Sequence, residues 1–339
     1  MPRGRAIAGL LSIGLLVVMG LAGCSSKSTS PTGTGDVSGL RLGAFASDRS
    51  GQYDIYLWDY DAKAFKSIDA IRSTAAETHP TLSSDGRFIA YQVNRGSSGD
   101  NIEMYDRTGK FIDLSPLNTA ADENEPAFSG DAKLLCYTQR AGGISRVRMF
   151  DGVNGTGVAL PGLDTTGVSY SDYSPAPNFD GSLIAFVSTR NGGPDIFIYD
   201  RTRHLVLHGP ELTTILDSPN DDLDPSFSAS GRFLTFASNR AGVLGGYDIY
   251  LLEFAVTATR VDTLVRNLTP ANSPYNERHP SVSDAGNNLV FQSDRPGGLG
   301  GPWDLWNYDR TTSTLTHLDP PLNYNSPAND IEPSLKWPY

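Results

Sequence analysis

A proline that follows an acidic residue by three positions recurs six times along this chain. The spacing of these prolines constrains the fold more than any other feature. Successive prolines are 46 to 55 residues apart, at Pro80, Pro126, Pro175, Pro225, Pro280 and Pro333. A period of this length, with several short turn-separated apolar runs in each repeat, predicts the blades of a β-propeller.

Each repeat has the same internal order, which is clearest in the stretch 222–250. Strand A contains the proline and is followed by a tight turn, strand B, a glycine-rich hairpin, strand C and strand D. Glycine ends the A–B turn in four repeats, at Gly86, Gly181, Gly231 and Gly286. Glycine suits a turn position with positive φ. Ala132 takes this position in the third repeat, which predicts a different turn or some backbone strain.

The two ends of the repeat region complete each other. The stretch from Leu42 to Asp69 reads as strands B, C and D without a strand A, and Asp330 to Leu335 reads as a strand A alone. Pairing them would close the ring and remove exposed sheet edges. The sequence therefore predicts an all-β, six-bladed propeller over residues 40–339, with four-stranded antiparallel blades. The C-terminal strand is expected to complete the first blade.

The repeat follows the pattern acid-x-x-Pro-x-x-Ser-x-Asp-Gly, which is complete from Glu77 to Gly86. This pattern resembles that of TolB-type six-bladed β-propellers built from WD-like repeats. The resemblance implies a non-catalytic scaffold that binds a protein or peptide of the cell envelope, with a peptidoglycan-associated lipoprotein as a candidate partner. TolB is a soluble periplasmic protein with an α/β domain ahead of its propeller. Only a short tether is expected there in this chain, so contact with TolA is not expected.

The first residues predict export and lipidation. A basic start with Arg3 and Arg5 and an apolar run to Leu21 are typical of a signal peptide, expected over residues 1–23. The ending Leu-Ala-Gly-Cys resembles the lipobox of bacterial lipoproteins, which implies lipidation at Cys24; an ordinary signal peptide is the alternative. Residues 24–39 read as this cysteine and a flexible tether. Ser25 resembles an outer-membrane sorting residue, so we expect a periplasm-facing protein held to the outer membrane by lipid alone.

Composition and motifs limit the function. The formal net charge of −11 argues against a nucleic-acid partner, because phosphate binding needs a basic surface. The sequence has no G-x-S-x-G nucleophile elbow, Walker A loop or H-E-x-x-H zinc motif. We therefore predict a protein without catalytic activity and without a cofactor, and we expect a monomer.

Two rings of charge recur with the repeat. Three residues before each proline stands an acid: Glu77, Glu123, Asp172, Asp222, Glu277 and Asp330. Fourteen or fifteen residues after the first five prolines stands an arginine, and a sixth lies near the start of the repeats: Arg95, Arg140, Arg190, Arg240, Arg295 and Arg49. We predict that each acid pairs with an arginine and fixes the blade spacing, since a feature of every blade usually serves the repeat itself. A charged binding ring is the alternative.

The residue directly before each proline varies, and variation among repeats points to function. These residues are His79, Glu125, Ser174, Asp224, His279 and Glu332. We expect them to face the central channel at its loop-rich mouth and to bind a protein or peptide there. His79, His279 and Glu332 leave open a metal site, and with it a metal-dependent lyase or hydrolase. A carbohydrate-binding module that uses aromatic side chains at the mouth is a third reading.

Overall fold

The computed structural model describes residues 41–336, except 97–98, 153–154, 165–166, 208–215, 217, 241, 243, 257–260, 269–270 and 319–323. The expected signal peptide, Cys24 and the tether lie outside the described residues. Within the described part of the chain, no helix is long and apolar enough to cross a membrane.

The predicted fold class is confirmed: the described chain forms six four-stranded antiparallel sheets. Strands are numbered in chain order. Blade 1 consists of β24 (Asp330–Lys336), β1 (Leu42–Ser47), β2 (Asp54–Asp59) and β3 (Ala64–Lys66). Blade 2 consists of β4 (Ala76–Leu82), β5 (Phe88–Asn94), β6 (Asp100–Asp106) and β7 (Lys110–Ile112). Blade 3 consists of β8 (Asp122–Phe128), β9 (Leu134–Ala141), β10 (Ile144–Asp151) and β11 (Thr156–Val158).

The remaining three blades follow in the same order. Blade 4 consists of β12 (Asp172–Pro177), β13 (Leu183–Ser188), β14 (Asp195–Asp200) and β15 (Leu205–Val206). Blade 5 consists of β16 (Asp222–Phe227), β17 (Phe233–Ser238), β18 (Asp248–Val256) and β19 (Val261–Asn267). Blade 6 consists of β20 (Glu277–Val282), β21 (Asn288–Ser293), β22 (Asp304–Asp309) and β23 (Thr314–His317). A short 3-10 helix spans Asp69–Ile71.

Blade 1 is built from both ends of the repeat region, as predicted. Strand β24 pairs antiparallel with β1, with Leu335 opposite Gly43 and Asp330 opposite Ser47. The strand-A position of blade 1 is therefore filled from the far end of the sequence, and the first and last repeats become one sheet.

The hydrophobic core lies between blades rather than within them. Each of six clusters of buried apolar side chains joins two neighbouring blades. Between blades 4 and 5, for example, Ile196 and Ile198 share a cluster with Leu234 and Phe236. Strands β13 and β17 are buried at every residue, because a neighbouring blade covers each face of the sheet. The apolar strand-B runs in the sequence reflect this two-sided burial.

The turn between strands A and B has the same form in blades 2 to 6. Its closing residue donates a backbone hydrogen bond to the residue three positions earlier, as Gly86 does to Ser83 and Ala132 does to Ser129. Ala132 has φ of 60°, close to the 67° of Gly86. The third repeat thus keeps the common turn and accepts the strain, because a side chain is disfavoured in the left-handed region.

We expect Ala132→Gly to stabilise the protein by about 0.5–1 kcal/mol. Relief of the left-handed conformation outweighs the added flexibility of glycine in the unfolded chain. Urea unfolding followed by tryptophan fluorescence measures the change. The reciprocal substitution Gly86→Ala should destabilise by a similar amount, and an unchanged midpoint for both variants would show that this turn stores no strain.

Candidate functional site

The residue before each proline is set into the channel by a β-bulge. All six have positive φ between 48° and 55°, although none is glycine. The A–B pairing shifts register across each of these sites, for example between Thr78 and Thr81 in blade 2. The bulge therefore leaves the pre-proline residue and its proline unpaired with strand B. It directs the pre-proline side chain toward the propeller axis.

These six side chains line one continuous central cavity of about 230 Å³. The cavity is also lined by residues of the A–B turns, namely Ser84, Gly130, Ala229 and Asp284. Because the A–B turns and the B–C hairpins lie at opposite ends of strand B, the cavity extends away from the glycine-rich loops. The expectation that the ring lies at the loop-rich mouth is therefore wrong. His79, for example, is the middle residue of β4, so the ring lies halfway along the channel.

An apolar collar separates the ring from the A–B turns. The residue two positions after each proline lines the cavity and is apolar in every blade: Leu82, Phe128, Pro177, Phe227, Val282 and Leu335. The residue between it and the proline is small in every blade: Thr81, Ala127, Ala176, Ser226, Ser281 and Ser334. The cavity thus combines a polar ring at mid-channel with an apolar wall toward one face.

Acidic and non-acidic residues alternate around the ring. Blades 1, 3 and 5 supply the carboxylates of Glu332, Glu125 and Asp224. Each carboxylate accepts a hydrogen bond from the backbone N–H of the pre-proline residue in the next blade. The donors are His79 (2.7 Å), Ser174 (2.8 Å) and His279 (3.1 Å), respectively. These hydrogen bonds therefore join blade 1 to blade 2, blade 3 to blade 4 and blade 5 to blade 6, and the same carboxylates face the cavity.

Asp224 is the one ring carboxylate with a guanidinium partner among the described residues. Arg278 lies 2.5 Å and 3.2 Å from its two oxygens, and the His279 ring lies 3.7 Å away. Burial favours the neutral acid, but the interactions with His279 and with the guanidinium of Arg278 outweigh it and hold the pKa of Asp224 well below its usual range. Asp224 is therefore a fixed negative charge that Arg278 compensates.

The other two carboxylates have neutral or histidine partners. Glu125 accepts hydrogen bonds from the hydroxyls of Thr138 (2.7 Å) and Ser174 (2.8 Å). Glu332 lies 3.2 Å from Nε2 of His79. The three ring carboxylates thus outnumber the one guanidinium by two, which makes the cavity favourable for positive charge.

The two ring histidines lie close to each other, on either side of blade 1. The ring centroids of His79 and His279 are 6.2 Å apart with their planes nearly perpendicular. Among the residues that the structure describes, no group of three or more His, Cys, Asp or Glu side chains is arranged to hold a metal ion. His79, His279 and Glu332 therefore neighbour each other without forming such a group.

Four of the six predicted acid–arginine pairs are formed. They are Arg49–Asp330 (2.5 Å), Arg190–Asp172 (2.9 Å), Arg240–Asp222 (2.7 Å) and Arg295–Glu277 (2.8 Å). In each case the arginine Nε also donates to a serine two residues earlier. Each guanidinium also lies 4.6 to 4.9 Å from the centre of a strand-C aromatic ring. The arginine is thus fixed by an acid, a hydroxyl and a π-face together.

The prediction of a pair in every blade is wrong for Arg95 and Arg140. Arg95 pairs with Glu103, which takes the place of the strand-C aromatic residue. Arg140 stands 14 rather than 15 residues after its proline, and an offset of one residue turns a strand side chain to the other face. It is exposed, and Glu123 instead binds Thr119 and Gln139. The Ser-x-Arg motif, present only in the four paired blades, is the sequence signal that distinguishes them.

The chain is similar to TolB proteins in sequence and in structure. A TolB homologue of Chlorobium luteolum is 29% identical over 175 residues, which cover 50% of this chain. The Tol-Pal system protein TolB of Francisella tularensis subsp. holarctica is 23% identical over 234 residues, or 68% of this chain. The crystal structure of TolB from Acinetobacter baumannii matches 89% of this chain and 67% of its own, with a TM-score of 0.61 and 20% identity.

The propeller is similar to that of TolB proteins. The aligned region spans only 36% of the Chlorobium relative and 51% of the Francisella relative, so the likeness concerns the propeller. No protein-family model matches the chain. The fold also occurs in enzymes: an oligogalacturonate lyase from Vibrio parahaemolyticus matches 81% of this chain and 73% of its own, with a TM-score of 0.50 and 12% identity.

We expect Arg240→Ala to destabilise the propeller by about 3 kcal/mol. The Asp222 side chain is fully buried, so loss of the guanidinium leaves a buried charge uncompensated. Urea unfolding measures the change. Arg140→Ala is the matched control, and we expect it to stay within about 0.5 kcal/mol of the wild type, since that side chain is exposed. Equal effects of the two substitutions would contradict a structural role for the pair.

Proposed function

We propose that this chain is a non-catalytic lipoprotein of the cell envelope whose TolB-type propeller binds a segment of another envelope protein in its central cavity. The observation that carries this proposal is the cavity ring. Its walls repeat from blade to blade, whereas the pre-proline residues that face it vary among Glu, Asp, His and Ser. In a repeat protein, residues that differ among repeats are the ones free to serve recognition.

The size of the cavity favours a segment of chain rather than a large ligand. Its volume of about 230 Å³ is smaller than the roughly 300–1,000 Å³ typical of small-molecule pockets. One or two side chains of a peptide suit this volume. The apolar collar would cover the aliphatic part of an inserted side chain, and the ring would meet its polar end.

The charge of the ring favours a basic segment. Glu125 and Glu332 lack a guanidinium partner among the described residues, so an inserted lysine or arginine would gain charge-assisted hydrogen bonds. By similarity to a protein named for the Tol-Pal system, a peptidoglycan-associated lipoprotein is the first partner to test. We expect the partner to present an exposed basic segment that is flanked by apolar residues.

A pull-down from a cell-envelope extract tests the binding proposal. The tagged full-length protein should retain an envelope protein, identified by mass spectrometry. We expect Glu125→Gln and Glu332→Gln to weaken this binding by at least about tenfold, because each removes a charge while keeping the oxygen that accepts the interblade hydrogen bond. Asp69→Asn is the control, since that carboxylate is exposed and does not line the cavity.

Two results would contradict the binding proposal. One is a stoichiometric bound metal that is lost in His79→Ala, because it would point to a metal-dependent lyase or hydrolase. The other is selective binding on a glycan array with no protein partner, which would point to a carbohydrate-binding module. Retention of a partner by wild type and both glutamine variants alike would place the binding surface outside the cavity.

The lipid anchor has its own test. If Cys24 is lipidated, the wild type should fractionate with the outer membrane and Cys24→Ser should appear in the soluble periplasmic fraction, since the acyl chains supply the membrane affinity. Immunoblotting of the fractions measures the distribution. A wild type found in the soluble fraction would overturn the lipoprotein assignment without affecting the cavity.

A further inference from the structure

Neighbouring blades bring two carboxyl groups together at four places. At each place the strand-A acid of one blade donates its backbone N–H to a carbonyl of the preceding blade. That carbonyl belongs to the residue directly before a strand-C aspartate. The acid and aspartate at these junctions are Glu77 with Asp54, Asp222 with Asp195, Glu277 with Asp248, and Asp330 with Asp304. All eight side chains are buried. Each junction therefore places two acidic groups in a region that disfavours charge.

At three of the four junctions an arginine supplies the compensating charge. Arg240, Arg295 and Arg49 lie within 2.5 to 2.8 Å of the strand-A acid. The exception is the junction between blades 1 and 2. Its arginine, Arg95, is drawn away to Glu103, and Glu77 forms no ion pair with any described residue.

The blade 1–2 junction leaves one oxygen of each carboxyl group without a partner. Ser73 donates to Oε1 of Glu77 at 2.5 Å, and Ser50 donates to Oδ2 of Asp54. The remaining Oε2 of Glu77 and Oδ1 of Asp54 are buried without a hydrogen-bond partner. The residues are 1% and 4% exposed, so bulk solvent does not reach these two oxygens. Buried, unpartnered carboxylate oxygens are costly unless a cation lies between them.

The other charged groups near β4 are engaged elsewhere. Tyr91 donates to Glu103, which also binds Arg95. Arg72, in the loop before β4, lies 4.4 Å from an aromatic ring of β2. The elements packed against β4 carry the following ionisable groups: Arg49 after β1; Asp54, Tyr56 and Asp59 of β2; Tyr91 and Arg95 at β5; Asp122, Glu123 and Glu125 of β8; and Asp330, Glu332 and Lys336 of β24. Asp54 is the acidic group among them that contacts the Glu77 carboxyl group.

We propose that Glu77 and Asp54 share a single proton, which takes the place that a guanidinium holds at the other three junctions. One free oxygen from each side chain suits a single O–H···O⁻ bridge between the two carboxyl groups. Magnesium and calcium need six or more oxygen ligands, and two free oxygens do not supply them.

The electrostatics of the junction support this assignment. Burial, reinforced by the hydrogen-bonding contact with Asp54, raises the pKa of Glu77 to about 7. Its unfolded value is near 4.5. The folded protein therefore holds more protons than the unfolded chain between about pH 4.5 and 7. Stability falls as the pH rises through this window, and this contribution is lost above it.

The junction lies next to the cavity ring. Glu77 is two residues from His79, whose backbone N–H is bound by Glu332 of blade 1. Loss of the shared proton would leave two buried negative charges between blades 1 and 2. It would thereby weaken the contact that sets His79 against Glu332. The proposal concerns the blade junction and holds whatever ligand occupies the cavity.

Urea unfolding at pH 6.0 and 8.5 tests the shared proton in the full-length protein. Ionisation of Glu77 should raise the unfolding constant of the wild type about tenfold between these pH values. Glu77→Gln should lose this factor, and at pH 8.5 it should be more stable than the wild type. Asp54→Asn should reduce the factor, because the neighbouring charge is gone.

Glu123→Gln is the matched control. Glu123 holds the same repeat position and is equally buried, but Asn101 stands where Asp54 stands in blade 1. This variant should keep the wild-type pH dependence. An infrared difference spectrum of the wild type gives a second readout: a protonated-carboxyl band at pH 6.0 should disappear at pH 8.5.

Three results would overturn the proposal. Glu77→Gln could keep the tenfold factor, or it could be less stable than the wild type at pH 8.5. Calcium or magnesium chloride could stabilise the wild type at pH 8.5 but not Glu77→Gln, which would show a metal ion in place of the proton. If Glu77→Gln does not fold, Asp54→Asn and the infrared band decide the question.

Discussion

Among the residues that the structure describes, every buried core cluster is shared by two blades, and the rest of the structure depends on that constraint. A blade without a neighbour would expose one apolar face to water, at about 25 cal/mol for each Å². The pairing of β24 with β1 is therefore the contact that gives the first and last repeats their second neighbour. The blade junctions matter for the same reason, since the closed circle of blades opens if any one junction between neighbouring blades is lost.

The repeat made the fold predictable from the sequence. Blade number, strand order and ring closure follow from residues that recur at a fixed spacing, and each is a property of the backbone and of two-sided burial. The turn at Ala132 shows how strong this constraint is. The backbone of the common turn is kept even where the residue does not suit it.

The site was predictable only in part, because side-chain partners depend on positions outside the repeated pattern. Arg95 has the spacing of its paired counterparts, but Glu103 across the sheet redirects it. Arg140 shows that an offset of one residue is enough to turn a side chain to the opposite face of the strand. The pre-proline residues do face the channel, but the depth of the ring and the face toward which the cavity extends depend on where along strand A the bulge falls.

At the left-handed residue before each proline, the side chain faces the cavity while the backbone takes part in building the blade. The conformation costs roughly 1–2 kcal/mol at a typical non-glycine residue. In blades 2, 4 and 6 the backbone N–H groups of His79, Ser174 and His279 each donate an interblade hydrogen bond, which does not depend on the side chain. A substitution at these three positions therefore keeps the backbone bond between the blades and changes only the side-chain contact with the neighbouring carboxylate. A propeller of this kind can therefore change the side chains that face its cavity by single substitutions and keep the backbone bonds that join its blades.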